Sequence, residues 1–143
     1  MPHSDENPPV EEQAVEGQSL AVVAESLYVA NLLILPFIAF FVLVYIFIKQ
    51  HGSAPPLARS HLEQTLSASI SIAIMFLACA MIILLLRAWG LEDVSIWMIV
   101  VIVFTIIHAT MVLFGVLGLA KAMSGKCWRY PVFGKALPRD CPQ

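Results

Sequence analysis

Three stretches of the chain, residues 26–48, 64–86 and 94–120, are strongly apolar and contain no Asp, Glu, Lys or Arg. A bilayer's hydrocarbon core is about 30 Å thick and takes about 20 apolar residues of helix to cross, and each stretch meets that length. Helices are required because an isolated strand in lipid leaves its backbone groups unpaired, and no short alternating segments of the barrel type are present. From residue 64 to residue 120 the only charges are Arg87, Glu92 and Asp93, grouped together. A water-soluble globule built from this chain would be apolar over most of its surface. With 59% hydrophobic and 13% charged residues, the composition sits well outside the range of soluble domains. A net charge of −2 and the lack of a broad basic face exclude a nucleic-acid partner. The sequence therefore predicts an all-α integral membrane protein with three transmembrane helices, over about 20–48, 62–86 and 94–122, within one domain at 19–138.

Pro36 falls inside the first stretch and predicts a kink, freeing a carbonyl near Leu32 that Asn31 is placed to engage. Residues 1–18 carry five acids and no Lys or Arg, which reads as a solvated, disordered acidic tail. It lacks the positive start of a signal peptide. Residues 49–59 and 87–93 are polar turns, and 139–143 form a short C-terminal tail. With three crossings, Lys49, Arg59, Lys121, Lys126, Arg129, Lys135 and Arg139 share one side, and Arg87 stands alone on the other. The positive-inside rule then predicts a bacterial inner-membrane protein with its C-terminus cytoplasmic and its N-terminus outside. Cys127 and Cys141 would lie in the cytoplasm as free thiols, with neither a disulfide nor a zinc site.

The stretch Leu35-Pro36-Phe37-Ile38 through Ile48-Lys49, followed by His61-Leu62-Glu63-Gln64-Thr65-Leu66-Ser67, resembles the Tic-twenty-like family of small bacterial membrane proteins, named for a chloroplast inner-envelope import component. So does Ala120-Lys121-Ala122-Met123-Ser124-Gly125-Lys126-Cys127-Trp128-Arg129-Tyr130-Pro131. Glu63 and Ser67 depart from that family's common Lys and Asn. The resemblance covers about residues 19–138 and implies three helices. It implies no single activity, since members serve plastid protein import and organelle or mineral shaping in magnetosome-bearing bacteria. It raises His61 and Gln64 as contacts at the cytoplasmic surface, against plain packing at a helix start.

Other candidates come from the residues themselves. His108 is an ionisable group near mid-membrane, read either as a neutral ring bonded within the fold, beside Thr105 and Asn31, or as a functional group. His61 lies too far from His108 along the membrane normal for the two to share a haem. Ser60 and Glu63 have the spacing of a capping box. Ser67 and Ser71, and separately Gly115, Gly118 and Ala122, form small faces suited to close helix approach. Trp128, Arg129 and Tyr130 read as interfacial anchors after a helix stop at Gly125.

No nucleophile elbow, phosphate loop or metal cluster stands out, so no cofactor is expected. The pattern fits a non-catalytic accessory or assembly subunit, with other membrane subunits as partners and the acidic tail free to meet a basic soluble domain. The alternative is a transport or protein-translocation component acting as a homo-oligomer.

Overall fold

The computed structural model describes residues 15–90 and 93–142, so the acidic segment 1–14 and its reading as a disordered tail lie outside the described residues. Every regular element among those described is a helix: α1 (Gln18–Leu33), α2 (Ile38–Gln50), α3 (Pro56–Ala88) and α4 (Asp93–Met123). At 1.5 Å per residue, α3 and α4 are about 50 and 46 Å long, enough to cross a bilayer. Among the described residues these two alone are long and apolar enough to do so.

The first stretch departs from the expected single kinked span. It is two helices of 16 and 13 residues, about 24 and 20 Å long, each short of a crossing. Pro36 cannot donate a backbone hydrogen bond, and the helix stops ahead of it, with Leu35 N–H reaching back to Ala30 O at 2.9 Å. The reversal is made at Phe37, whose φ of 71° is the one positive value outside glycine among the described residues. Ile38 N–H donates to Pro36 O at 3.0 Å, closing a tight γ-turn around that residue. Asn31 does act here, but as an acceptor: its Oδ1 takes the Phe37 N–H at 3.3 Å.

The halves fold back on one another. Ala24 of α1, Leu43 of α2 and Leu62 of α3 are buried in one cluster, with Leu20, Ile46 and Phe47 against it. Gly17 lies against Pro55 and Ala58, where an added Cβ would be 3.0 Å from the Ala58 methyl. Gln18 Nε2 donates to Met123 O at 2.6 Å. Hence α1 runs parallel to α3 and antiparallel to α4, and the hairpin enters and leaves at the end where α3 begins and α4 finishes. The start of α1 therefore lies at the same end of the bundle as the C-terminal segment, whereas three crossings would place them at opposite ends. Charge counting could not have found this, because the first eighteen residues hold no Lys or Arg to count.

α1 is the centre of the packing. Ala21, Ala24, Glu25 and Tyr28, spaced as one helical face, are fully buried. The small face of α4 receives them: a Cβ on Gly115 would meet Tyr28 Cε1 at 2.8 Å, and one on Gly118 would meet Glu25 Oε2 at 2.6 Å. That seam is internal. α4 then ends in a Schellman turn, with Gly125 at φ 65° and Lys126 N–H donating to Lys121 O at 3.0 Å.

The expected capping box does not form, because Pro56 starts α3 one turn before Ser60. Ser60 is buried, its hydroxyl without a partner among the described residues. Glu63 instead binds His51 Nε2 at 2.6 Å and Arg59 Nε at 3.3 Å, clasping the end of the hairpin to α3.

The tip of the hairpin ends beside Phe76 and Phe104. Beyond that level α3 and α4 continue as a pair, separated by an apolar cleft of about 380 Å³ between Met75–Leu86 and Ile96–Ile107.

Candidate functional site

A buried polar set lies where α1, α3, α4 and the C-terminal segment converge. Glu25, His61 and Tyr130 are each 0% exposed. Glu25 Oε1 is 2.6 Å from His61 Nδ1, and Tyr130 Oη donates to Glu25 Oε2 at 2.7 Å. His61 Nε2 is 3.0 Å from Lys126 O; a carbonyl only accepts, so this nitrogen carries a hydrogen. One further proton then lies between Nδ1 and the carboxyl, and the pair is neutral overall on whichever atom that proton rests. Burial, and next the neighbouring Glu25 carboxylate, push the Tyr130 phenol well above the usual tyrosine range, so it stays a donor. Tyr28 stacks edge-on to Tyr130 at 5.4 Å and completes the enclosure.

The irregular segment after Gly125 is held by side chains of α3, since its carbonyls lack helix partners of their own. His61, Gln64 and Ser67 rise along one face of α3. They donate to Lys126 O at 3.0 Å, Lys135 O at 2.8 Å and Phe133 O at 3.1 Å. Gly134 permits the close approach: a Cβ there would lie 2.7 Å from Gln64 Oε1. His61 and Gln64 are thus buried tethers for this strap and do not form an exposed contact surface.

Cys127 and Cys141 are joined by a disulfide, with Cα atoms 6.0 Å apart, against the expectation of free thiols. The strap loops back so that Cys127 N–H donates to Pro142 O at 2.7 Å, which brings the two cysteines together over Ala21 and Leu57. Tyr130 is core and not an interfacial anchor. Trp128 is half-buried with its Nε1 unpartnered among the described residues, and exposed Arg129 donates to Gly134 O at 3.2 Å.

His108 stands apart from this set. Its ring lies parallel to Phe104 at 5.3 Å, half-buried at the hairpin tip. With Asn31 and the buried Ser69 it lines a cavity of about 590 Å³ whose walls are otherwise apolar. Thr105 binds Val101 O of its own helix, not His108. No group of three or more metal-ligating side chains occurs among the described residues.

Reading by sequence missed Glu25, Tyr28 and the inward role of Tyr130. The available signal was a lone acid on the same helical face as Ala21, Ala24 and Tyr28, which demands a buried partner once that face packs.

The model of the magnetosome magnetite crystal formation protein family (MamF/MmsF) matches residues 16–137. This corrects the resemblance to a Tic-twenty-like family: the stretches that carried it fall inside the matched region, and the family they identify is the magnetosome one. No curated protein and no solved structure matches the chain.

Proposed function

The chain belongs to the magnetosome magnetite crystal formation protein family, a family of membrane proteins, and from that premise we propose that it serves crystal formation as a non-catalytic membrane subunit. One observation carries the reading. The buried ionisable set has its donors and acceptors engaged within the protein, Glu25 with His61 and Tyr130, and His61 with the strap, so its role is to fix the hairpin and the C-terminal segment.

With two crossings, seven of the eight Lys and Arg lie at the end where α1 begins and α4 finishes. The positive-inside rule assigns that end to the cytoplasm. Among the described residues the other end offers only the short turn around Trp89 and Gly90, too little surface to template a mineral directly. The protein accordingly acts through the membrane and through other subunits, not by direct contact with the crystal. The acidic tail, on this reading, meets its partners in the cytoplasm.

The transport alternative draws less support. Ser67 and Ser71, which a polar pore would need, are bonded to Phe133 O and Ser67 O. Gentle extraction of tagged protein from its own membrane tests the proposal. A companion at fixed stoichiometry supports the subunit reading, and a lone monomer in mild detergent with no companion refutes it.

A further inference from the structure

The polar residues locate the hairpin in the bilayer. Its base carries exposed Glu16 and Lys49 and the His51–Glu63 pair. Its tip, Leu33 to Phe37, is wholly apolar, with Ile34 74% and Phe37 73% exposed. No Asp, Glu, Lys or Arg occurs in residues 26–48. The tip therefore lies in hydrocarbon and the base at one headgroup layer.

The tip ends beside Phe76, one residue past the midpoint of the uncharged run of α3 at 64–86. The cleft beyond it is lined only by α3 and α4. Four helices thus share one leaflet and two share the other. A helix with its side chains is about 10 Å across, so the fuller leaflet holds roughly 160 Å² more protein. We infer that this protein is a membrane wedge that favours curvature with the hairpin leaflet on the convex side.

The wedge is held open by the contacts already described. α1 is fixed to α3 and α4 by Glu25, Tyr28 and Gln18, and α2 is clasped through His51 to Glu63. The hairpin cannot slide deeper, because its base carries the charged Glu16 and Lys49 and the half-buried His51–Glu63 pair. Nor can it straighten without breaking the turn at Phe37 and pulling Ala24 away from Leu43. The added area is a fixed feature of the fold. The inference does not depend on which end faces the cytoplasm, so it stands or falls separately from the subunit reading.

The size dependence follows from geometry. On a sphere, the fractional area difference between leaflet midplanes is twice their separation divided by the radius. With a separation of about 15 Å, half the hydrocarbon thickness, it is roughly 0.2 at a radius of 150 Å and 0.03 at 1000 Å. A wedge therefore discriminates strongly between its two orientations on small vesicles and hardly at all on large ones.

The test is reconstitution of the full chain, with a C-terminal tag, into neutral phosphatidylcholine vesicles about 30 nm and about 200 nm in diameter, since membrane insertion of this kind is curvature-sensitive. Protease accessibility then reads the fraction of tags outside. On the small vesicles the tag is outside in an excess of at least about five to one, and on the large ones the ratio falls towards unity. The chain lacking residues 1–14, which removes four acids and leaves the hairpin residues intact, keeps the same bias. Equal ratios on the two vesicle sizes, or a bias that vanishes with residues 1–14, overturn the wedge.

Discussion

Gly118→Ala is the smallest change that probes the buried network. The new methyl would sit 2.6 Å from Glu25 Oε2, 2.8 Å from Cδ and 2.9 Å from Oε1. A free side-chain end would simply move aside. This carboxyl is pinned at 2.6 Å by His61 and 2.7 Å by Tyr130, so moving it lengthens two charge-assisted hydrogen bonds. Such bonds contribute about 1.5–3 kcal/mol each, and overpacking a close seam costs about 1–3 kcal/mol. Replacing a helical glycine by alanine returns about 1 kcal/mol. The expected net loss is therefore roughly 2 kcal/mol, taking partial relaxation of both bonds.

The control is the same substitution in a Glu25→Ala background. That background is itself weaker by about 3 kcal/mol, because His61 loses its partner. There the new methyl meets no carboxyl and the helix gain stands alone, so the coupling between the two sites is about 3 kcal/mol. Reversible unfolding in mixed micelles of dodecyl sulfate and a mild detergent, followed by helical circular dichroism, measures all four species. If Gly118→Ala stabilises both backgrounds equally, the carboxyl is not held against α4 and the account of the network is wrong.

Tyr130→Phe should lower stability by about 1–3 kcal/mol by leaving Glu25 Oε2 short of a donor, while Trp128→Phe, which removes an N–H without a partner, should be close to neutral in the same assay. Reduction, or Cys141→Ser, opens a loop closed across 14 residues and should cost up to about 3 kcal/mol. Its direct check is a non-reduced digest, where absence of a Cys127–Cys141 linked peptide refutes the pairing. Reporters fused to the two chain ends should report the same side of the membrane; opposite sides would restore three crossings and remove the hairpin.

The two long helices were legible because length and absence of charge decide them. The hairpin was not, because 23 uncharged apolar residues suit a crossing and a fold-back equally well. Pro36 marks an interruption, yet the angle depends on Phe37 adopting a positive φ and on Ala24 finding Leu43, neither of which is local information. His61 and Gln64 stood out as polar residues at a helix start. Their inward direction depends on a strap some 65–71 residues later in the chain. Glu25 looked tolerable near an interface, and only the register of α1 against α3 reveals it as the hub. The disulfide was missed because the compartment argument weighs the redox environment, whereas the path of the strap decides which thiols meet.

Glu25 precedes His61 by 36 residues and Tyr130 by 105. During synthesis the hairpin therefore emerges with its acid uncovered, and the carboxyl gains its last partner only once Tyr130 has been made. A chain that stops short of Tyr130 leaves that acid without its phenol and the α3 tethers without their strap. The C-terminal segment thus supplies the last of the contacts that enclose Glu25, so the packing of α1 is completed from the far end of the fold.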